Sequence, residues 1–212
     1  MDNNTEYEET MLFFLNDTLE KIESGDKTTA NYYYVFQHYE SAQKKNEYKN
    51  EVEKYAKLTL DSAINNIDNF NTLPDYAKED IINKKSIAQE YCYLSRIYDY
   101  YKNNKQKLYC INKAIELEPE NGYFYLLRAR YYSEKYDFKN SELDYKKVIE
   151  LGNKEWTSDA ELMISCNKSQ IYAKYVLIFI IFLIILEIFA PIFANILVIC
   201  FVIITLINRL RG

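Results

Sequence analysis

The stretch AQEYCYLSRIYDYYKNNKQKLYCINKAIELEPEN, residues 88–121, runs directly into GYFYLLRARYYSEKYDFKNSELDYKKVIELGNKE, residues 122–155, and the second is a diverged copy of the first at an offset of 34. In this register Tyr91 falls on Tyr125, Arg96 on Arg130, Tyr98 on Tyr132 and Lys105 on Lys139. Further along, Lys113, Ile115, Glu116 and Leu117 fall on Lys147, Ile149, Glu150 and Leu151. A repeat of this length holds one helix–turn–helix unit. Such a unit cannot bury its apolar faces alone, so successive units stack and leave a concave surface for a ligand. The expected architecture is all-α, and the expected general activity is protein binding.

Working outward, helices are expected at about 77–102, 105–118, 121–135 and 138–151, with a further one starting near Lys154. Upstream, Leu12, Leu15, Leu19 and Ile22 recur at helical spacing until Gly25, a favourable C-cap, which gives a first helix over about 5–24. Thr28 or Thr29 can cap a second helix with Tyr32, Val35, Phe36 and Tyr39 on one face. A third carries Val52, Tyr55, Ala56, Ala63, Ile64 and Ile67, so residues 30–69 read as a degenerate further repeat. Pro74 cannot continue a helix and Asp75 can cap the next one, which divides a divergent N-terminal region, 1–74, from the regular repeats and their capping helix, 75–170.

Composition narrows the function. Tyr is abundant at 22 while Gly and Pro number 4 and 3, too few for the turns of a β-rich fold. The formal net charge is −5, and before position 171 there are 23 basic and 30 acidic residues, so nucleic acid is not an expected partner. The four cysteines, Cys92, Cys110, Cys166 and Cys200, form no CxxC pair, and Glu6, Glu8 and Glu9 are the opposite of a basic signal-peptide start. A reducing cytosol is the expected surrounding. The single histidine, His38, has no partners at metal-ligand spacing, and no phosphate-cradling or nucleophile motif occurs. No enzymatic activity, cofactor, metal or small-molecule substrate is expected.

Between Val176 and Ile207 lie 32 residues interrupted only by Glu187, Pro191, Asn195 and Thr205, which reads as a membrane segment within 171–208, followed by a basic tail at 209–212. As one straight helix it would be about 48 Å long against a hydrocarbon core of about 30 Å. Folding back at Pro191 gives a hairpin with arms at about 175–188 and 192–207. Lys168 and Lys174 before the segment, with Arg209 and Arg211 after it, then share one face, as cationic flanks prefer. Glu187 would sit near the hairpin tip. The alternative is one span from Ile188 to Ile207, which also keeps Glu187 out of the bilayer centre.

Ala114, Pro119, Ala129, the turn at 136–141 and the closing segment 114–121 resemble the tetratricopeptide repeat family, strongly over 88–153, weakly over 30–69 and not beyond 155. Ser95 stands where that family prefers Gly, Lys107 where it prefers Ala, and Asn153 where a closing Pro is usual. The resemblance implies a solenoid in which the first helix of each pair lines a concave groove. Arg96 and Arg130 occupy equivalent places on those helices, in a chain with 21 Lys and only five Arg, and Cys92, Asp99, Leu126 and Ser133 would line the groove beside them. Repeated guanidinium forks suit a carboxylate or an acidic peptide of a partner protein. The plainer reading pairs Asp99 with Arg96 and Glu134 with Arg130 as surface ion pairs. Trp156, the only tryptophan, is expected to cover the last repeat rather than touch a ligand.

In layout the chain resembles tail-anchored adaptors that recruit soluble machinery to organelle membranes, and a bacterial inner-membrane scaffold fits equally. The expectation is a membrane-held domain facing the cytosol, in contact with lipid and recruiting a partner protein. The competing expectation makes the hairpin the active part, shaping the membrane, with the helical domain mediating assembly.

Overall fold

The computed structural model describes residues 3–41 and 47–210, and side chains over 10–41, 47–189, 197 and 199–204. Arg211 lies outside the described residues, as do the side chains of Glu6, Glu8, Glu9, Pro191, Asn195, Thr205 and Arg209. The described elements are all helical: α1 (Asn3–Glu23), α2 (Thr29–Ser41), α3 (Lys49–Thr72), the single turn α4 (Asp75–Lys78), α5 (Ile81–Tyr100), α6 (Asn104–Leu117), α7 (Gly122–Glu134), α8 (Phe138–Glu150) and α9 (Lys154–Leu210). The chain divides into two compact units, Met1–Ala160 and Glu161–Gly212.

Local chemistry sets these boundaries. After α1, the Asp26 amide reaches the Lys21 carbonyl at 2.8 Å and the Gly25 amide reaches Ile22 at 3.2 Å, with Gly25 at φ 110°. This is a Schellman closure, which satisfies carbonyls a helix end would otherwise orphan. The same closure ends α5, where Asn103 bonds to Tyr98 and Lys102 to Asp99 at 2.8 and 3.0 Å, and α7, where Asp137 bonds to Tyr132 and Tyr136 to Ser133 at 2.9 and 3.0 Å. The left-handed residues there are Lys102 and Tyr136, at φ 57° and 59° and 34 positions apart. The next residue in each case caps the following helix: Asn103 accepts from the Gln106 amide at 3.2 Å and Asp137 from Asn140 at 3.3 Å. One residue closing one helix and capping the next makes the tight turn that forces pairing. At the other break, Asp75 is the first residue of α4 rather than a cap, and Asp80 caps α5 through the Ile82 and Asn83 amides at 2.9 and 3.1 Å.

Contacts within each pair run in opposite directions along the two helices, as in an antiparallel hairpin. Thr29 meets Ser62 while Tyr39 meets Tyr55; Lys85 meets Glu118 while Asp99 meets Lys107; Arg128 meets Asp144 while Ser133 meets Ser141. Burial repeats at 34 residues. Cys92 and Leu126, Ser95 and Ala129, Ile111 and Tyr145, and Ala114 and Val148 are all buried. The small residues Ala114 and Ala129, at 1% and 0% exposure, lie where neighbouring helices leave no room for a longer side chain. The N-terminal half contributes its own apolar cluster, in which Leu15, Val35, Phe36, Val52 and Ala56 pack around Ile97 of α5.

Two cations tie the pairs together. Lys107 is buried and its ammonium lies 2.9 Å from Asp99 and 3.1 Å from Glu134, bridging α5 and α7. Arg128 of α7 donates two bonds of 2.8 Å to Asp144 of α8 and one of 2.9 Å to Asn112 of α6.

In the C-terminal unit the helix continues without a break through Pro191, so the fold-back expected there is not what the structure shows. A proline inside a helix removes one backbone hydrogen bond and introduces a kink, which membrane helices tolerate. Every described side chain from Tyr172 to Phe189 is exposed. The portion Lys154–Phe189 is long and apolar enough to cross a membrane, with a mean hydropathy of 2.5 over its most apolar window.

The two classes of ion pair differ in burial, and their removal separates them. Asp144→Ala strands Arg128 in a site where Asp144 is only 9% exposed, and should cost about 3 kcal/mol or more. Asp159→Ala removes a partner that is 57% exposed and lies 3.6 Å from Arg130, and should cost about 0.2–1 kcal/mol. Thermal unfolding of the detergent-solubilised chain, followed by helical ellipticity, checks both; equal melting temperatures would remove the Arg128 network from the frame.

Candidate functional site

The first helices of successive pairs lie side by side and point the same way. Tyr33 stacks near Tyr93 at 4.8 Å and Phe36 meets Tyr100 at 5.5 Å, which sets α2 parallel to α5. Tyr123 meets Trp156 at 5.4 Å and Arg130 meets Asp159, which brings the first turns of α9 alongside α7 in the same sense. A Cβ added at Gly122 would come within 3.5 Å of the Trp156 ring. The tryptophan therefore covers the last pair, in the place a further repeat would occupy.

Two depressions open between α2 and α5. One, of about 120 Å³, is lined by Tyr33, Phe36, Gln37, Glu40, Arg96, Asp99, Tyr100 and Lys102. The Arg96 Nε donates to the Tyr33 hydroxyl at 3.4 Å, and no carboxylate lies within ion-pair distance of this guanidinium among the described residues. Burial raises the Tyr33 phenol above its usual value, and the Arg96 charge opposes the rise. Tyr123 is raised by burial as well, with the positive charges of Arg96 and Arg130 pulling the other way, so its hydroxyl lies within the field of both.

Of the residues the sequence marks for a groove, Arg96 and Asp99 are brought together in this depression. Arg130 is on the same side but exposed and paired with Asp159. Ser133 shares a hydrogen bond of 2.7 Å with Ser141, within the α7–α8 pair. Cys92 and Leu126 are core residues at 3% and 2% exposure, and burial pushes the Cys92 thiol up to about 12. Helix periodicity puts them near the inner face but cannot distinguish the rim of a groove from the seam beneath it. The simple intrahelical pairs are also absent, because Asp99 and Glu134 both turn to Lys107.

The second depression, of about 420 Å³, was not legible in advance. It lies between the start of α2, α3 and α5 and contains Thr29, Ser62, Asn66, Glu90 and Tyr93. Glu90 is 9% exposed; its Oε1 accepts from Asn66 Nδ2 at 2.8 Å, while Oε2 is buried with no hydrogen-bond partner. Burial raises its carboxyl above the usual value, with the Asn66 and Thr29 contacts opposing. One sequence signal could have exposed it. At the 34-residue offset Glu90 falls on Phe124, a position that is 1% exposed, so the register calls for an apolar side chain where an acid stands.

Compared with known proteins, the chain matches no family model, no curated protein and no solved structure.

A carboxyl raised by folding favours the folded state at low pH and loses that contribution as pH climbs from the ordinary Glu value, about 4.3, through the raised one. The neutral isostere Glu90→Gln has no such loss. Its melting temperature relative to the parent should therefore climb as pH rises from about 4. A difference that stays flat as pH rises would show that Glu90 ionises in the folded chain as freely as in water.

Proposed function

We propose that the chain is a membrane-anchored helical-repeat adaptor, similar in its stacking to tetratricopeptide solenoids, whose α2–α5–α7 face binds an acidic segment of a partner protein. The observation that carries this reading is Arg96: a partly buried guanidinium facing a depression, with a phenol beside it and, among the described residues, no carboxylate within ion-pair distance, although Glu40 and Asp99 line the same depression. A charge withdrawn from water without a partner is costly, and an incoming carboxylate supplies the partner. Tyr33, Tyr100 and Phe36 line the same depression and offer apolar area to the rest of a peptide. The repetition of burial and of left-handed helix closures at 34 residues supports stacked units of one kind.

The exposed apolar run of the C-terminal unit supports the anchor, since such a surface is stable in hydrocarbon rather than in water. A span over Ile188–Ile207, about 20 residues, keeps Glu187 at the interface instead of the bilayer centre, which would cost about 2.5–3.5 kcal/mol, and lays the apolar residues before it against the membrane. In this reading the repeat unit is taken to face the cytosol.

For the binding face, the probe is an oligoglutamate peptide and the protein is the full chain in detergent micelles. Arg96→Ala should weaken binding by about 1.5–3 kcal/mol, whereas Arg130→Ala, exposed and already paired, should change it by a few tenths. Rising salt should weaken the parent as well. An Arg96→Ala protein that melts with the parent and binds with parental affinity removes the reading.

For the anchor, tags at the two ends of the chain should report from opposite sides of a sealed membrane. Both tags on the cytosolic side would restore a fold-back and exclude a single span.

A further inference from the structure

The depression that contains Glu90 is built from different groups than the Arg96 cleft. Glu90 is the only carboxylate among its lining residues, and its Oε2 is buried without a partner. Around it the Asn66 amide is committed, while Lys27, Thr28, Ser86 and Gln89 also line the depression. The Asn66 amide nitrogen gives its hydrogens to Glu90 Oε1 at 2.8 Å and Thr29 Oγ1 at 3.1 Å, and the Thr29 and Ser62 hydroxyls share one bond of 2.7 Å. Beside Glu90 Oε2 stand the Thr29 and Ser62 hydroxyls, whose mutual bond uses one of their two hydrogens and leaves lone pairs on the oxygens. Lys27 lines the same depression but makes no ion pair with Glu90, so a neutral donor would satisfy the hydrogen bond and leave the charge of the carboxylate unmet.

The fold does not need an acid at this position, because the next unit buries Phe124 in the equivalent place. A cavity of about 420 Å³ is also far larger than the ~30 Å³ share of a single water. A hard metal cation would ask for more than one carboxylate. An ammonium head carries three donors, which matches the three oxygens, and Tyr93 in the wall offers a ring for the attached alkyl chain. We infer that this depression is a binding site for a primary alkylammonium group, its head on Glu90 Oε2 and the Thr29 and Ser62 hydroxyls. The head belongs either to a small diffusible amine or to a lysine side chain presented by another protein. The site stands on different residues from the acidic-peptide cleft and takes the opposite charge, so either can fail without the other.

The test titrates the full chain in detergent micelles by calorimetry with n-butylammonium, with N-acetyl-lysine methylamide, and with n-butanol as the uncharged control. The parent should bind n-butylammonium saturably and n-butanol not at all. Glu90→Gln, which keeps the shape and the Asn66 contact, should bind at least tenfold more weakly. Arg96→Ala should bind as the parent does. Binding of the capped lysine as well assigns the site to protein side chains, and binding of the free amine alone assigns it to small amines; either outcome supports the site. Should Glu90→Gln fail to fold, Ala30→Lys serves instead. Ala30 is exposed at the rim, and a lysine there can place its own ammonium on Glu90 and should weaken the added amine at least tenfold. No saturable heat with either amine, or parental affinity in a folded Glu90→Gln or Ala30→Lys protein, overturns the inference.

Discussion

A buried ammonium cannot stand alone, and Lys107 resolves this by reaching Asp99 in its own pair and Glu134 in the next. Arg128 repeats the arrangement one step on, holding Asp144 of its own pair and Asn112 of the previous one. Apolar side chains favour contact between pairs but tolerate sliding, because one methyl group packs nearly as well as its neighbour. Paired charges do not: a helix displaced by one turn would leave a cation in low dielectric without its carboxylate, at a penalty of several kcal/mol. Replacing the whole network with apolar residues of similar volume could be neutral for stability. Its contribution is therefore register, and the arrangement of α5, α6, α7 and α8 follows from it.

The pairing of the helices was open to reading because the chemistry that specifies it is local. Period, spacing and cap residues such as Asn103 and Asp137 act within a few positions of one another, and the observed helix ends fall within a few residues of those expected. The lateral contacts were opaque because they join residues far apart in the chain. Nothing near Lys107 announces Glu134, although a lysine at a position the resembled family fills with alanine was a visible irregularity. The same holds for Arg128, which lies two places before the arginine that the repeat singled out. Cys92 and Leu126 were assigned to a surface because the repeat register places them on the inner side of their helices; how deep that side lies depends on how closely α5 and α7 approach, and a sequence does not carry that distance. The membrane segment shows the limit in another form. Pro191 is compatible with a turn or with a kinked helix, and which one forms depends on surroundings the residue itself does not specify.

The two depressions open along α2 and α5, one walled by Tyr33 and the other by Tyr93, whose rings meet at 4.8 Å. Arg96 and Arg130, identical by repeat position, end in different surroundings because the helix alongside each is different. Arg96 faces α2, which supplies Tyr33, whereas Arg130 faces α9, which supplies Asp159. Repetition in a sequence thus fixes the place of a side chain but not its electrostatic partner, and a quasi-symmetric array acquires one distinctive site where its neighbour differs.

The same end effect provides an optical consequence. Trp156 is the sole tryptophan, and its ring packs on Tyr123, whose hydroxyl lies in the field of both arginines. An indole's emission responds to nearby charge and to displacement of a neighbouring ring. The covering of the last pair therefore doubles as a native fluorophore placed one ring away from the arginines, so that a change in their surroundings is readable in the unlabelled chain.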